Sequence, residues 1–359
     1  MFPFDQPTPT AFYLVLYLGT LLLHVVPMNY VLAGSSYLAL LGVWETARGQ
    51  VSEPHRAIAA GLRDWMPFAL SIAITAGVAP LLFLQVLYKE PFYTANLLLL
   101  HRWMAILPIL IVAFYLLYLQ KSKRFVARPA AVRMLVSVGI FCCFGFVAWS
   151  WTENHLLSTR GQEVWIEQYT QGGWFYGDWE LPARLALWWV GAFPMLAMIL
   201  AWQVPAARAS LVRLALVALA ASAVAGVVYF LQIPAAARSQ IVSRGWPYLT
   251  LGLLGGAGQA AVWTLAWRVR ELTAGLLAGL SAAAVLAALG VTVLRELRRL
   301  SAIDITAYYD QHAEAAGVGG WWLFVLLLLM NAGLIAWVIR IACRPAAEPN
   351  PQKANSATE

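Results

Sequence analysis

Residues 11–44 read AFYLVLYLGTLLLHVVPMNYVLAGSSYLALLGVW, apolar for longer than a bilayer is thick. An uninterrupted apolar run of at least ~18 residues is a transmembrane helix candidate, because ~20 residues rising 1.5 Å each cross the hydrocarbon. Near the middle of this run sits His24. An imidazole is costly in lipid, so a mid-span histidine either carries a function or bonds to a neighbouring helix.

The rest of the chain is of the same kind. Hydrophobic residues make up 61% and charged residues 11%, against roughly 45–50% and 25% in soluble domains. This composition predicts a polytopic membrane protein. The formal charge of +7 matches basic loops that set orientation in a membrane and gives no reason to expect nucleic acid. Cys142 and Cys143 are adjacent and Cys343 is remote, which is neither a disulfide framework nor a metal spacing. The opening MFPFDQPTPT has no basic region or small-residue cleavage site, so the first span is expected to be retained.

Further apolar runs cover residues 65–88, 94–120, 131–151, 182–202, 211–233, 246–267, 272–294 and 321–342. The expected fold is therefore all-α, a polytopic bundle of about nine transmembrane helices over 1–343, with a polar, Pro-rich, disordered tail at 344–359. The segment after the third run holds Lys121, Lys123, Arg124, Arg128 and Arg133 and no acid. The segment after the fourth holds Glu153, Glu163, Glu167, Asp178 and Glu180 against Arg160. The positive-inside rule puts the first in the cytoplasm and the second outside, hence N-terminus outside and C-terminus cytoplasmic. Arg238 and Arg244 fall on the outer side and run against this assignment.

Aromatic residues crowd the outer loop after the fourth run: Trp149, Trp151, Trp165, Trp174, Phe175, Tyr176 and Trp179. An interfacial belt accounts for some of them, and a lid or docking surface is the competing reading. In the next outer loop, RELRRL and His312 follow the eighth run. Leu294, Leu297 and Leu300 continue its helical period, so that helix is expected to run past the membrane and break at 315–320. Its arginines suit lipid headgroups, an anionic quinone-site group or haem propionates.

Several chemistries lack their residues. Every acid lies in a loop or within about a turn of an expected helix end, which argues against a proton-coupled transporter. There is no P-loop, zincin motif or nucleophile elbow. His24 and His101 are the histidines inside expected spans, while His55 and His155 fall in expected loops. His24 lies ~14 and His101 ~8 residues from the outer ends of their helices, so their depths differ by roughly 10 Å. A haem held by both needs a strong tilt or offset. Met28 lies one turn from His24 on the same face, placed to pack on a cofactor or to fill the core. Arg102 is placed to snorkel toward a propionate or a headgroup.

The order of elements resembles subunit I of the cytochrome bd quinol oxidases. HVVPMNYVLAGSSYLALLGVWE is similar to that family's first helix, with His24 on the haem-ligand position and Glu45 at the end. ITAGVAPLLFLQVLY and FGFVAWSWTEN are similar in frame to its second and fourth helices. Departures are plain too. The second-helix Glu is replaced by aliphatic residues around Phe83, and an early third-helix carboxylate is missing. Arg184, Leu185 and Ala186 stand where the fifth-helix His ligand belongs, and the quinol loop shrinks to PAAARSQIVSRG.

The resemblance implies a membrane electron-transfer subunit of a bacterial inner membrane that does not itself reduce oxygen. Its expected cofactor is haem b, with His24 as axial ligand, His101 in reserve, and Met28 and Arg102 nearby. The implied partners are membrane lipid, a quinone, a periplasmic redox protein such as a c-type cytochrome, and further subunits of a hetero-oligomeric complex. The alternative is a cofactor-less scaffold or anchor of a respiratory complex.

Overall fold

The computed structural model describes residues 1–172, 176–318 and 320–342, and every regular element among them is helical. The long helices are α1 (Thr8–Arg48), α2 (Glu53–Leu87), α4 (Leu100–Lys121), α6 (Ala130–Ser158), α8 (Glu180–Gln203), α9 (Arg208–Gln232), α11 (Trp246–Val269) and α12 (Ala274–Leu300). Short helices α3 (Lys89–Leu98), α5 (Lys123–Val126), α7 (Gln162–Gln171) and α10 (Ala235–Ser243) join them. The helices α13 (Tyr309–Val318) and α14 (Trp321–Ala342) follow. Among the described residues eight helices are long and apolar enough to cross a membrane, or nine if Ile305–Val318 and Trp322–Asn331 form one bent span. The chain is thus a multi-pass helical membrane protein. A first compact unit covers Met1–Tyr309 and a second begins at Asp310. The expected disordered tail lies outside the described residues.

Each helix starts and stops for local reasons. Pro9 opens α1 in its first turn, where its missing N–H costs nothing. Gly49, at φ 70°, closes it in the left-handed conformation and returns its N–H to the Glu45 carbonyl. At 41 residues α1 is about 60 Å long, twice the hydrocarbon thickness. Part of its length must therefore stand outside the hydrocarbon. The expected third helix is in fact two, α3 and α4, parted at Leu99. The eighth-run helix stops at Leu300, the last of its periodic leucines and short of the break expected at 315–320. There Asp304 takes over the chain, accepting from the Thr306 N–H at 3.1 Å and hydroxyl at 2.6 Å.

Lipid offers no hydrophobic drive between helices, so close packing and polar contacts must hold the bundle. In the first unit α1 packs on α2, α6 and α8, α4 on α6, α8 on α9, and α11 on α12. The α11–α12 crossing is tight at Gly255, where an added Cβ would sit 2.3 Å from the Ala287 nitrogen, and at Gly290, where it would sit 2.5 Å from the Gly252 nitrogen and from the Tyr248 oxygen. Two large apolar clusters and two small ones form among the described residues, and the large ones divide α1. One gathers Tyr30–Leu38 of α1 with α2, α6, α8 and α9; the other gathers Leu14–Leu21 with Leu84–Phe92 and Val293–Ile305. Between them, residues 22–28 of α1 are only partly buried or exposed. His24 lies in that gap.

Candidate functional site: a buried arginine-rich layer beside His24

At the end of the bundle that holds the N-terminus, the helices close around charge. Glu153 is fully buried, and His155, Glu180, Glu296, Arg298 and Arg299 each expose no more than 4%. Buried charges persist only when paired and hydrogen-bonded, and most of these are. Arg298 clamps Glu180 with Nε at 3.1 Å and Nη2 at 2.7 Å, and the Tyr229 hydroxyl donates to the same carboxylate at 3.1 Å. Glu296 accepts from the Tyr88 hydroxyl and from Arg299 Nη1 at 3.1 Å. Arg299 also donates to the Tyr17 hydroxyl at 3.1 Å and to His155 Nδ1, and its guanidinium lies 5.0 Å from the Tyr88 ring centroid.

This layer corrects the sequence reading on its main negative point. The acids were expected in loops or within about a turn of a helix end; Glu153, Glu180 and Glu296 do lie near helix ends, but they are buried, and α6 runs on to Ser158 and carries Glu153 and His155 into the interior. Glu180 opens α8 and is buried against α9 and α12. His155, expected in a loop without companions, is the innermost histidine of this layer. His55 is likewise helical, in the first turn of α2, where it meets the Tyr37 hydroxyl at 2.5 Å. The signal that would have found the layer was the spacing of Arg295, Arg298 and Arg299 along one face of a helix, with Glu296 beside them.

A second network ties the following loop to the bundle. Arg160 pairs with Asp178 and donates Nε to the Tyr176 hydroxyl at 3.0 Å, while Asp178 caps the Glu180 N–H at 2.8 Å. Burial alone would raise the Asp178 carboxyl pKa, but the Glu180 N–H and Arg160 outweigh it and hold the group below its usual range. Of the crowded aromatic residues that are described, Trp151, Trp165 and Tyr176 are half-buried and Trp149 is exposed. Trp151 stacks on Trp103 at 5.2 Å and Trp165 donates to the Leu157 carbonyl at 2.8 Å, whereas Trp179 is exposed. Trp174 and Phe175 lie outside the described residues. Arg238 bonds the Leu231 carbonyl at 3.0 Å, a helix-capping role that accounts for it without reference to orientation.

The residues singled out in the sequence are placed as follows. His24 turns Nδ1 to the Ala73 carbonyl of α2 at 2.9 Å, and its ring lies against Gly77, where a Cβ would come within 2.9 Å of Cε1. Only glycine permits this approach. With Nδ1 so engaged as donor, Nε2 is the ring's acceptor. A backbone carbonyl on one ring nitrogen is what orients an imidazole whose other nitrogen binds a metal. Met28 is partly buried on the same helix. His101 is exposed on α4, which packs mainly on α6 and α2, so the fold does not bring the two histidines together. Arg102 turns inward, buried and paired with Glu153, and does not reach a headgroup.

One imbalance stands out. Arg102, Arg184, Arg295, Arg298 and Arg299 share the layer with Glu153, Glu180 and Glu296, a surplus of positive charge. Arg295 lies within electrostatic reach of His24, His155 and Arg184 alike. Among the described residues, Arg184 Nη1, Arg295 Nε and His155 Nε2 are buried without a hydrogen-bond partner. No cluster of three or more His, Cys, Asp or Glu fit for a metal ion alone occurs there. No family model matches the chain, and no curated protein is significantly similar to it.

Proposed function

We propose that this chain is a redox subunit of a bacterial inner membrane that binds haem b on His24 and passes electrons between the quinone pool and an external redox protein. The observation that carries the reading is His24 itself, at mid-span, oriented through Nδ1 by the Ala73 carbonyl, facing Gly77 and lying in the gap between two apolar clusters. The arginine surplus nearby suits a cofactor that carries carboxylates. An imidazole-ligated haem supplies one-electron transfer at a potential tuned by its ligand, hydrogen bonds and burial. The chain's own part is to orient the His24 ring and keep water from it.

In this reading the N-terminus is outside and the charged layer lies toward the outer face, where an external protein can approach. The test is haem content per folded protein in His24→Leu, with His101→Ala in parallel. Loss of haem in the first and retention in the second supports the assignment. Full haem in the folded His24 variant, with an unchanged spectrum, would falsify it.

A cofactor-less scaffold remains the second reading. It is favoured by one observation, the extent to which Arg298, Arg299, Glu180 and Glu296 already satisfy one another without any ligand. A transporter of protons gains the buried carboxylates it lacked in the sequence reading, but each of these is held by an arginine.

A further inference from the structure

Five arginines (Arg102, Arg184, Arg295, Arg298 and Arg299) and three carboxylates (Glu153, Glu180 and Glu296) do not make a neutral interior, and a surplus of cations held out of water is costly unless an anion joins them. Arg298 and Arg299 are spent on Glu180, Glu296, Tyr17 and His155. Arg184 and Arg295 are not: α8 and α12 hold them near one another, each with a buried N–H lacking a protein acceptor. His155 adds an unpartnered Nε2, with Nδ1 already taken by Arg299. Native interiors leave few such groups unsatisfied, and a repeated lapse in one place marks where something else binds.

We infer that Arg184 and Arg295, beside His155, form a binding site for an anionic oxygen pair inside the membrane protein, a carboxylate or phosphate group borne by an apolar molecule. Guanidinium groups suit this chemistry because their N–H donors match two oxygens at once. The bearer is apolar because the site lies within a bundle whose outer faces are aliphatic. Two sources share the chemistry. Haem propionates are the first, and that version rests on the haem reading above. The phosphate of an anionic lipid is the second and is independent of it.

The experiment uses the purified full-length protein in neutral detergent, compared with Arg184→Gln/Arg295→Gln and with the exposed control Arg124→Gln. Each is titrated with haemin, haemin dimethyl ester, dioctanoyl phosphatidic acid and dioctanoylglycerol. For propionates, the double variant weakens haemin by about tenfold or more while the dimethyl ester binds wild type and variant alike. For a lipid phosphate, haemin fails to bind any form, phosphatidic acid binds wild type in preference to dioctanoylglycerol, and the double variant loses that preference. This second result sinks the haem reading and leaves the anion site standing. The site is overturned if the wild type binds neither anion, or if the double variant binds them as tightly as the wild type. Thermal unfolding of the ligand-free proteins separates a binding role from a structural one. Removing surplus buried charge should leave the double variant melting at or above the wild type. A lower melting temperature, accompanied by loss of both anions, shows that the two arginines are structural and overturns the proposal.

Discussion

Glu180 joins three helices through one carboxylate, taking Arg298 from α12 and Tyr229 from α9 while standing at the start of α8. Removing one partner of a buried ion pair leaves the other charge uncompensated, at a cost of about 3–5 kcal/mol. Glu180→Gln should therefore lower the melting temperature of the detergent-solubilised protein markedly. Glu163→Gln, outside this layer, should leave it unchanged. These residues were the hardest to read in the sequence. Glu153, His155 and Glu180 follow or precede apolar runs, and a run-based reading treats the first polar residue as the exit from the membrane. The helix continues because its polar side chains find partners on other helices, which hydropathy along one chain does not register. His24 was legible for the converse reason: it interrupts a run too long to end there.

At the scale of elements, the apolar runs located the long helices, because each needs only length and low charge. The break at Leu99 was not legible, because it falls inside a continuous apolar stretch, and α12 ends at Leu300, before the break expected at 315–320. Packing adds a test here. Gly290→Val should separate α11 from α12, at about 1–3 kcal/mol or more because the obstructing atoms are backbone. Gly279→Ala, whose added Cβ meets only Val262 at 3.9 Å, should be neutral in the same thermal-shift assay. The loop tie offers a pH test. Asp178 has a depressed pKa, so its contribution is complete above the unfolded value of about 3.9 and is lost as pH falls through the lower folded value. Pepsin cleavage around residues 160–180 should stay slow through the ordinary aspartate range and rise only below it. In Asp178→Asn the slow cleavage should be absent at every pH tested.

For the whole molecule, an all-helical multi-pass bundle was readable from composition and run length alone. Its interior chemistry was not, because the charged layer is assembled from α6, α8, α9 and α12 and exists only once they pack. The orientation proposed above predicts that reporter fusions in residues 121–128 and in α7 report opposite sides of the membrane; the same side for both contradicts it. The central claim is that His24 and the arginine layer serve a haem. Its most direct test is the optical spectrum of the purified protein, oxidised and then reduced with dithionite. The account predicts a Soret band that shifts on reduction and a sharpened α-band, both lost in folded His24→Leu. A colourless preparation, from cells able to make and insert haem b, contradicts it.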